Sequence, residues 1–254
     1  VQLQNLIKGQ KVTLTTNMGG NNLFSRILYH IMRAFVNFKD DPSAFAQEVY
    51  KAKLISKEAY MYKFELFTDL LIGYAYIQLG SYTKASAMLY KIVKTAKEKG
   101  MNSILHLAWY IISIVNIKQG KFDIAYGVLN NSNIQMEKSG GISEYLTMLN
   151  KVNMYKVLMC TQAQDKAQIC LNQASYIVQK YGLNFNLNID IKKIMSENQN
   201  INNRAAITQS GSEQPVNNEV RVSEEENTTV VSSSGGFDED DGDVINPEDF
   251  FSDN

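Results

Sequence analysis

The strongest constraint on the fold is a stretch that recurs, with changes, forty residues further along the chain. Residues 70–89 read LLIGYAYIQLGSYTKASAML, and residues 109–129 read WYIISIVNIKQGKFDIAYGVL. Each stretch predicts an apolar helix, a turn at a glycine, and a second helix that opens with an aromatic and a small residue. The pairs that align are Gly80 with Gly120, Tyr82 with Phe122, Ala85 with Ala125, and Leu89 with Leu129.

The small residues have specific roles in this interpretation. Ala85 lies on the same helical face as Tyr82 and Leu89, where a small side chain lets a paired helix approach closely. The turn glycines are expected to adopt a positive φ. Gly73, which costs about 1 kcal/mol of helix propensity, is expected to mark the point where the second helix crosses the first. The residues predicted to be buried are Trp109, Ala85 and Ala125.

Weaker units precede and follow the two clear ones. The small residues Ala46, Ala85, Ala125 and Ala167 are 39, 40 and 42 residues apart. The first of them follows a DDP turn at 40–42, and the last follows TQAQ, which contains no glycine. We therefore predict that residues 23–190 are mostly helical. The predicted turns lie near 38–42, 79–82, 99–102, 119–122, 138–143 and 161–165.

The pattern resembles the tetratricopeptide repeat, in which Trp, Leu-Gly, Tyr and Ala recur at fixed spacing. The matching residues are Gly73, Tyr76, Gly80, Tyr82 and Ala85 in one unit, and Trp109, Gly120, Phe122 and Ala125 in the next. The resemblance implies an all-α fold, a right-handed α-solenoid of about four helix pairs over residues 23–195. The family's period is about 34 residues, so the period near 40 predicts longer helices or linkers and leaves a HEAT-like array as an alternative.

The resemblance also implies a binding surface, because the first helix of each pair lines a concave groove in tetratricopeptide proteins. Relatives that clamp a terminal carboxylate place Lys, Arg and Asn there, whereas this chain places mainly aromatic and aliphatic residues. Such a groove suits an amphipathic helix or an extended apolar peptide. At each position the alternative is packing between adjacent repeats. The expected groove residues are Leu28, Ile31, Phe35, Phe67, Leu70, Tyr74, Leu107, Tyr110, Ile114, Val152, Lys156 and Met159.

Charge divides the chain near residue 195. Residues 1–195 carry 23 Lys and Arg against 12 Asp and Glu, while residues 196–254 carry 2 against 14. The second part is poor in Leu and Ile and is predicted to be a disordered acidic tail, because it cannot bury enough apolar surface. Residues 1–22 are taken as a lead-in or as part of a preceding repeat. Acidic residues surround Phe237, Phe250 and Phe251, which we interpret as a docking segment rather than an inert end.

The function predicted from these features is a non-catalytic scaffold for other proteins, without cofactor, metal or small-molecule substrate. His30 and His106 are interpreted as packing residues, and Cys160 and Cys170 as buried thiols, because no nucleophile–base or metal-ligand spacing is visible. The alternative is a regulatory binder of nucleic acid or an anionic membrane surface through the basic body, with the tail as competitor. A lysine face at Lys91, Lys94 and Lys97 supports that alternative, although aromatic interleaving is absent. Compartment and targeting stay open.

Overall fold

The computed structural model describes residues 22–37, 41–139 and 143–198, all of which lie in the compact unit Val1–Gln199. These residues form eight long helices and one short helical segment over residues 191–198. No strand occurs among the residues so described. The long helices are α1 (Leu23–Asn37), α2 (Pro42–Glu58), α3 (Tyr62–Gln78), α4 (Tyr82–Glu98), α5 (Asn102–Lys118), α6 (Phe122–Ser139), α7 (Glu144–Cys160) and α8 (Gln164–Tyr181).

The helices repeat at a shorter interval than the sequence pattern. From α2 to α6 each helix begins 20 residues after the one before, at residues 42, 62, 82, 102 and 122. A helix of 17 residues and a turn of three make up each unit. Two such units account for the forty-residue period, since every second helix has the same sequence character. The forty-residue period therefore comes from pairs of helices, each about 26 Å in length, joined by very short turns.

One backbone turn recurs at the five connections between long helices that the structure describes in full. In the turn at residues 79–81, the amide of Gly80 donates to the carbonyl of Ile77 at 3.1 Å, and the amide of Ser81 donates to that of Tyr76 at 2.8 Å. This pair of bonds is the Schellman motif, which satisfies two carbonyl groups at the end of the helix. The motif requires a left-handed conformation at the first of the two donor residues, here Gly80. Equivalent bond pairs occur at residues 59–61, 99–101, 119–121 and 161–163.

The left-handed position is not always glycine. Gly80, Gly100 and Gly120 have φ of 74°, 64° and 71°, as the sequence predicted for the turn glycines. Tyr60 and Gln162 occupy the same position with φ of 54° and 63°. Because Tyr60 is not a glycine, the turn at 59–61 was not predicted from the sequence. The TQAQ stretch forms the same turn although it contains no glycine.

The second helix of each pair begins with one buried residue at its fourth position. Ala85, Ala125 and Ala167 are each fully buried there, as predicted for the first two. In α2 the equivalent residue is Phe45, which is also fully buried, whereas Ala46 is half-buried. The sequence analysis aligned Ala46 with Ala85, Ala125 and Ala167, but the structurally equivalent residue is one position earlier. A pattern of small residues could not identify Phe45, because phenylalanine is large.

Consecutive helices pack against one another along the whole array, and α3 also contacts α5, while α5 contacts α7. The crossing of α3 and α4 takes place at Gly73, where an added Cβ would lie 3.1 Å from Cδ2 of Leu89. The crossing predicted from sequence is confirmed. Trp109 of α5 is buried and meets the ring of Tyr90 on α4 edge-on, at 6.3 Å between centroids. The all-α, repeat-like array predicted from the sequence is therefore the observed fold.

The start of α2 is fixed by polar contacts to its own first turn and to α1. The carboxylate of Asp41 accepts hydrogen bonds from the amides of Ser43 and Ala44, and Pro42 begins the helix. Both features are favoured at helix N-termini. One turn further, the buried carboxylate of Glu48 lies 2.8 Å from Nδ1 of His30 on α1. Residues 38–40 of the predicted turn lie outside the described residues, and its last two residues cap and begin α2.

Candidate partner-binding groove

The first helix of each pair, α1, α3, α5 and α7, will be called an A helix. The A helices share one register, counted from the first residue of each: position 5 is buried in all four, and position 9 is buried in α1, α3 and α7 and half-buried in α5. Positions 6, 9 and 13 define what we call the groove face, and they include most of the predicted groove residues. The groove face consists of Leu28, Ile31 and Phe35 on α1, Phe67, Leu70 and Tyr74 on α3, Leu107, Tyr110 and Ile114 on α5, and Leu149, Val152 and Lys156 on α7.

The groove face is unevenly accessible. Ile31, Leu70 and Val152, all at position 9, are buried, with 4%, 0% and 4% of their surface exposed. Phe35 is 37% exposed. The half-buried positions, which border both core and solvent, are Leu28, Phe67, Tyr74, Leu107, Tyr110, Ile114, Leu149 and Lys156. Leu149 was missed by the sequence interpretation because α7 matches the repeat pattern poorly, while Met159 packs beside the cluster that contains Leu158 and Cys170.

Three tyrosines connect successive A helices. Tyr110 of α5 lies close enough to Tyr74 of α3 and Tyr145 of α7 to interact electrostatically with both. Burial raises the pKa of the Tyr110 hydroxyl, and these two neighbouring hydroxyls raise it further. Burial also raises the pKa values of Tyr74 and Tyr145. We call Tyr74, Tyr110 and Tyr145 the tyrosine row; their raised pKa values keep the three hydroxyl groups uncharged at neutral pH.

A lysine pair lies at the carboxyl end of the same face. Lys156 of α7 donates to Oδ1 of Asn153 at 3.0 Å. Burial lowers the pKa of Lys156, and the positive charge of Lys118 on α5 lowers it further. Lys118 itself lies 2.6 Å from a carboxylate oxygen of Glu197, in the helical segment 191–198. Two lysines and one carboxylate thus lie near the carboxyl ends of α5 and α7, next to an apolar face.

A buried polar network lies between α5, α6 and α7. Nδ1 of His106 is 3.1 Å from Oγ of Ser132, and Nδ2 of Asn150 donates to Oδ1 of Asn133 at 3.1 Å. On the adjacent turn of α7, Asn153 donates to Oγ of Ser113 at 3.0 Å. All of these side chains are buried. Buried groups must find matching partners, so the network favours one register of α7 against α5 and α6.

Each of the two histidines contacts a polar side chain of the following helix. His106 meets Ser132, and His30 meets Glu48, which also lies 2.8 Å from Lys51. Within the described residues, no group of three or more His, Cys, Asp or Glu side chains could hold a metal ion. Cys160 and Cys170 are both free thiols, half-buried and buried respectively.

Comparisons with known proteins returned no match to a family model, to a curated protein or to a solved structure. None of the described helices is both long enough and apolar enough to cross a membrane. The predicted docking residues Phe237, Phe250 and Phe251 lie outside the described residues, as do residues 1–21. The candidate site therefore rests on the groove face and on the tyrosine row.

Proposed function

We propose that the chain is a non-catalytic, tetratricopeptide-like scaffold whose A helices bind an apolar segment of a partner protein within a larger assembly. The observation that carries the proposal is the groove face, which continues from α3 to α5 to α7 because these helices contact one another directly. Phe67 and Leu107 occupy the same register on neighbouring helices and are half-buried. Half-buried apolar side chains in a row suit helix-in-groove or extended-peptide recognition.

The chemistry of the face favours an uncharged partner surface. The tyrosine row offers hydroxyl groups that stay protonated, set in apolar surroundings. Tyrosine is enriched at protein interfaces because one ring supplies both contact area and a hydrogen-bonding tip. Lys156 is the charged exception on the groove face, and it suits an acidic or carbonyl group at one end of the partner segment.

The test is site-specific photo-crosslinking with the full chain. A photoreactive phenylalanine analogue is placed at Phe67, at Leu107, or at Ile169, which is exposed on α8 and outside the groove face. The crosslinked partner peptides are then sequenced after capture. We expect positions 67 and 107 to crosslink one defined apolar segment and position 169 to crosslink none. Equal crosslinking at the three positions would show that the groove face is not the binding site.

Substitutions supply the matched controls. Phe67→Ser should weaken capture of that partner by about tenfold or more, the loss expected when one central apolar anchor is removed. Ile169→Ser removes an exposed apolar residue from α8 and should leave capture unchanged. Helical circular dichroism of both variants must match that of the unchanged chain, since Phe67 also packs beside the core cluster of α1, α2 and α3.

A second proposal uses the basic body instead, as a binder of nucleic acid or an anionic membrane surface. Lys91, Lys94 and Lys97 are exposed together on α4, and this face is the observation in its favour. Such binding falls steeply with salt, because each phosphate contact releases counterions. Binding to the apolar groove face should change little between 50 and 300 mM salt, roughly the range in which the Debye length shrinks below 10 Å. A salt titration therefore separates the two proposals.

A further inference from the structure

The chain after α8 carries a pattern that the helical repeats do not have. Residues 183–190 read LNFNLNID, with large apolar residues at every second position and Asn or Asp between them. These eight residues are not helical, and the apolar ones are half-buried while the polar ones are exposed. An alternation with period two is that of an extended chain that presents one face to a surface. We call residues 183–190 the alternating segment.

The alternating segment lies against the end of the groove face. The side chains of Leu183, Phe185, Leu187 and Ile189 pack beside a core cluster formed by Met148 and Val152 of α7 and by Ala174 and Ile177 of α8. Tyr145 and Leu149 of α7 pack beside the same cluster. Leu149 and Val152 belong to the groove face, and Tyr145 ends the tyrosine row. The segment is therefore continuous with the surface proposed to bind a partner.

The attachment of the segment is shallow. Two of its polar side chains bind the backbone nearby: Asn186 accepts a hydrogen bond from the amide of Asn188 at 2.8 Å, and Asp190 accepts one from the amide of Lys193 at 3.0 Å. The ion pair between Lys118 and Glu197 holds the following helical segment, with both side chains more than a third exposed. Exposed ion pairs contribute little to stability. Half-buried apolar contacts thus provide most of the attachment, and these can be exchanged for equivalent contacts from another chain.

We propose that the alternating segment is a resident ligand of the groove face, and that the partner segment accepted there has the same pattern. That partner segment is an extended stretch with large apolar side chains at four alternate positions and uncharged polar residues between them. The proposal rests on the proposed function, since it names the chemistry of the partner for that face. A partner must displace the resident segment, whose tethering to α8 gives it a high effective concentration.

The experiment uses the full chain and a fluorescein-labelled synthetic peptide of residues 181–191. One variant, Phe185→Asn with Leu187→Asn, removes two apolar anchors of the resident segment. The control, Asn186→Ser with Asn188→Ser, changes two exposed positions of the same segment. We expect the peptide to bind the anchor variant at least about tenfold more tightly than it binds the control or the unchanged chain, because freeing the face raises the binding-competent fraction. A peptide with Asn in place of Phe185 and Leu187 should bind none of them.

Equal peptide binding to all three chains would overturn the proposal and make the segment a simple cap on the end of the array. Hydrogen exchange on the unchanged chain gives a second test that needs no substitution. Amides of residues 183–198 should exchange faster than those of α7, since a displaceable segment opens without global unfolding. Equal protection of both regions would also overturn the proposal. Crosslinking at Phe67 tests the proposed function separately, because it does not depend on either result.

Discussion

Gly73 of α3 and Leu89 of α4 meet so closely that an added Cβ on Gly73 would lie 3.1 Å from Cδ2 and 3.2 Å from Cγ of Leu89. Leu89 is fully buried, and the contact is with the branched end of its side chain. Glycine at this position lowers the helix propensity of α3, but its lack of a side chain allows α3 and α4 to cross here. The close contact sets the distance between α3 and α4 at the crossing.

Substitution of Gly73 should change stability through two opposing effects, a gain in helix propensity and crowding of Leu89. Gly73→Ala gains about 1 kcal/mol of helix propensity and loses a similar amount by crowding Leu89, so the free energy of unfolding should stay nearly constant. Gly73→Leu should destabilise the chain by about 1–3 kcal/mol, because the larger side chain overpacks the crossing. The measurement is urea unfolding followed by circular dichroism.

Gly127 of α6 is the matched control, since an added Cβ there has no neighbour within 4 Å. Gly127→Ala should therefore stabilise the chain by about 0.5–1 kcal/mol. Equal stabilisation by Gly73→Ala and Gly127→Ala would show that the crossing tolerates a methyl group and that Gly73 has another role.

The left-handed turn residues offer a second test. Tyr60 has φ of 54° and is 95% exposed, so its ring contributes little packing to offset the strain. The left-handed conformation costs a non-glycine residue about 1–2 kcal/mol, whereas glycine adopts it freely. Tyr60→Gly should stabilise the chain by about 0.5–1 kcal/mol, after the entropy cost of glycine in the unfolded chain.

Two control variants isolate the backbone effect at these turns. Tyr60→Ala removes the ring but keeps Cβ, and it should give no gain. Gly120→Ala, at a position with φ of 71°, should cost about 1 kcal/mol or more. Thermal unfolding in which Tyr60→Gly is no more stable than Tyr60→Ala would contradict the assignment of strain to Tyr60.

The helix crossing at Gly73 and the left-handed turns show what the sequence can and cannot predict in this chain. Gly73, Gly80 and Gly120 were interpretable because glycine is selected by a close approach or by a positive φ. Tyr60 and Gln162 adopt the same conformation without that signature, and the surrounding helices impose it on them. The turn at residues 59–61 was omitted for this reason.

The candidate site was predictable in its outline and not in its details. The forty-residue period identified the A helices and most of the groove face. The surface against which the alternating segment packs could not be predicted, because the period-two pattern specifies an extended conformation but not the surface that it covers. The buried network was also missed, since His106, Ser132 and Asn150 are polar residues far apart in sequence that meet only after the helices pack.

The buried histidine of that network should make stability depend on pH. Burial lowers the pKa of His106 below its usual value of 6.5, so the unfolded chain binds a proton more readily than the folded chain. Stability contributed by neutral His106 is therefore fully present above pH 6.5 and is lost as pH falls below it. We expect the free energy of unfolding to fall as pH drops below 6.5, by no more than about 1.4 kcal/mol per pH unit from this one group.

The variant His106→Gln provides the comparison, because glutamine keeps a polar group near Ser132 and does not titrate. Its stability should change less between pH 7 and 5 than that of the unchanged chain. Glu48 does not interfere in this window. Burial raises the pKa of its carboxyl, but hydrogen bonds from Lys51 and His30 and the charge of Arg33 outweigh burial and hold the pKa below 4.5. Parallel pH profiles for the two chains would contradict a neutral, buried His106.

Lys156 should be a residue whose removal stabilises the chain. Burial and the charge of Lys118 lower its pKa, which means that the fold disfavours its charged form. Lys156→Met keeps the length of the side chain and removes the charge, while it forfeits the hydrogen bond to Asn153. The melting temperature at pH 7 should rise by about 2–4 °C, the change that 1 kcal/mol produces in a domain of this size.

The pH dependence of that gain decides its cause. Because the folded chain releases the proton of Lys156 at a lower pH than the unfolded chain does, the stability of the unchanged chain rises with pH until both states are neutral. The advantage of Lys156→Met should therefore shrink as pH rises from 7 towards 10.5. Lys91→Met, on the exposed face of α4, is the control and should change the melting temperature little at any pH. If the advantage of Lys156→Met is the same at pH 7 and pH 10, apolar packing rather than the buried charge accounts for it.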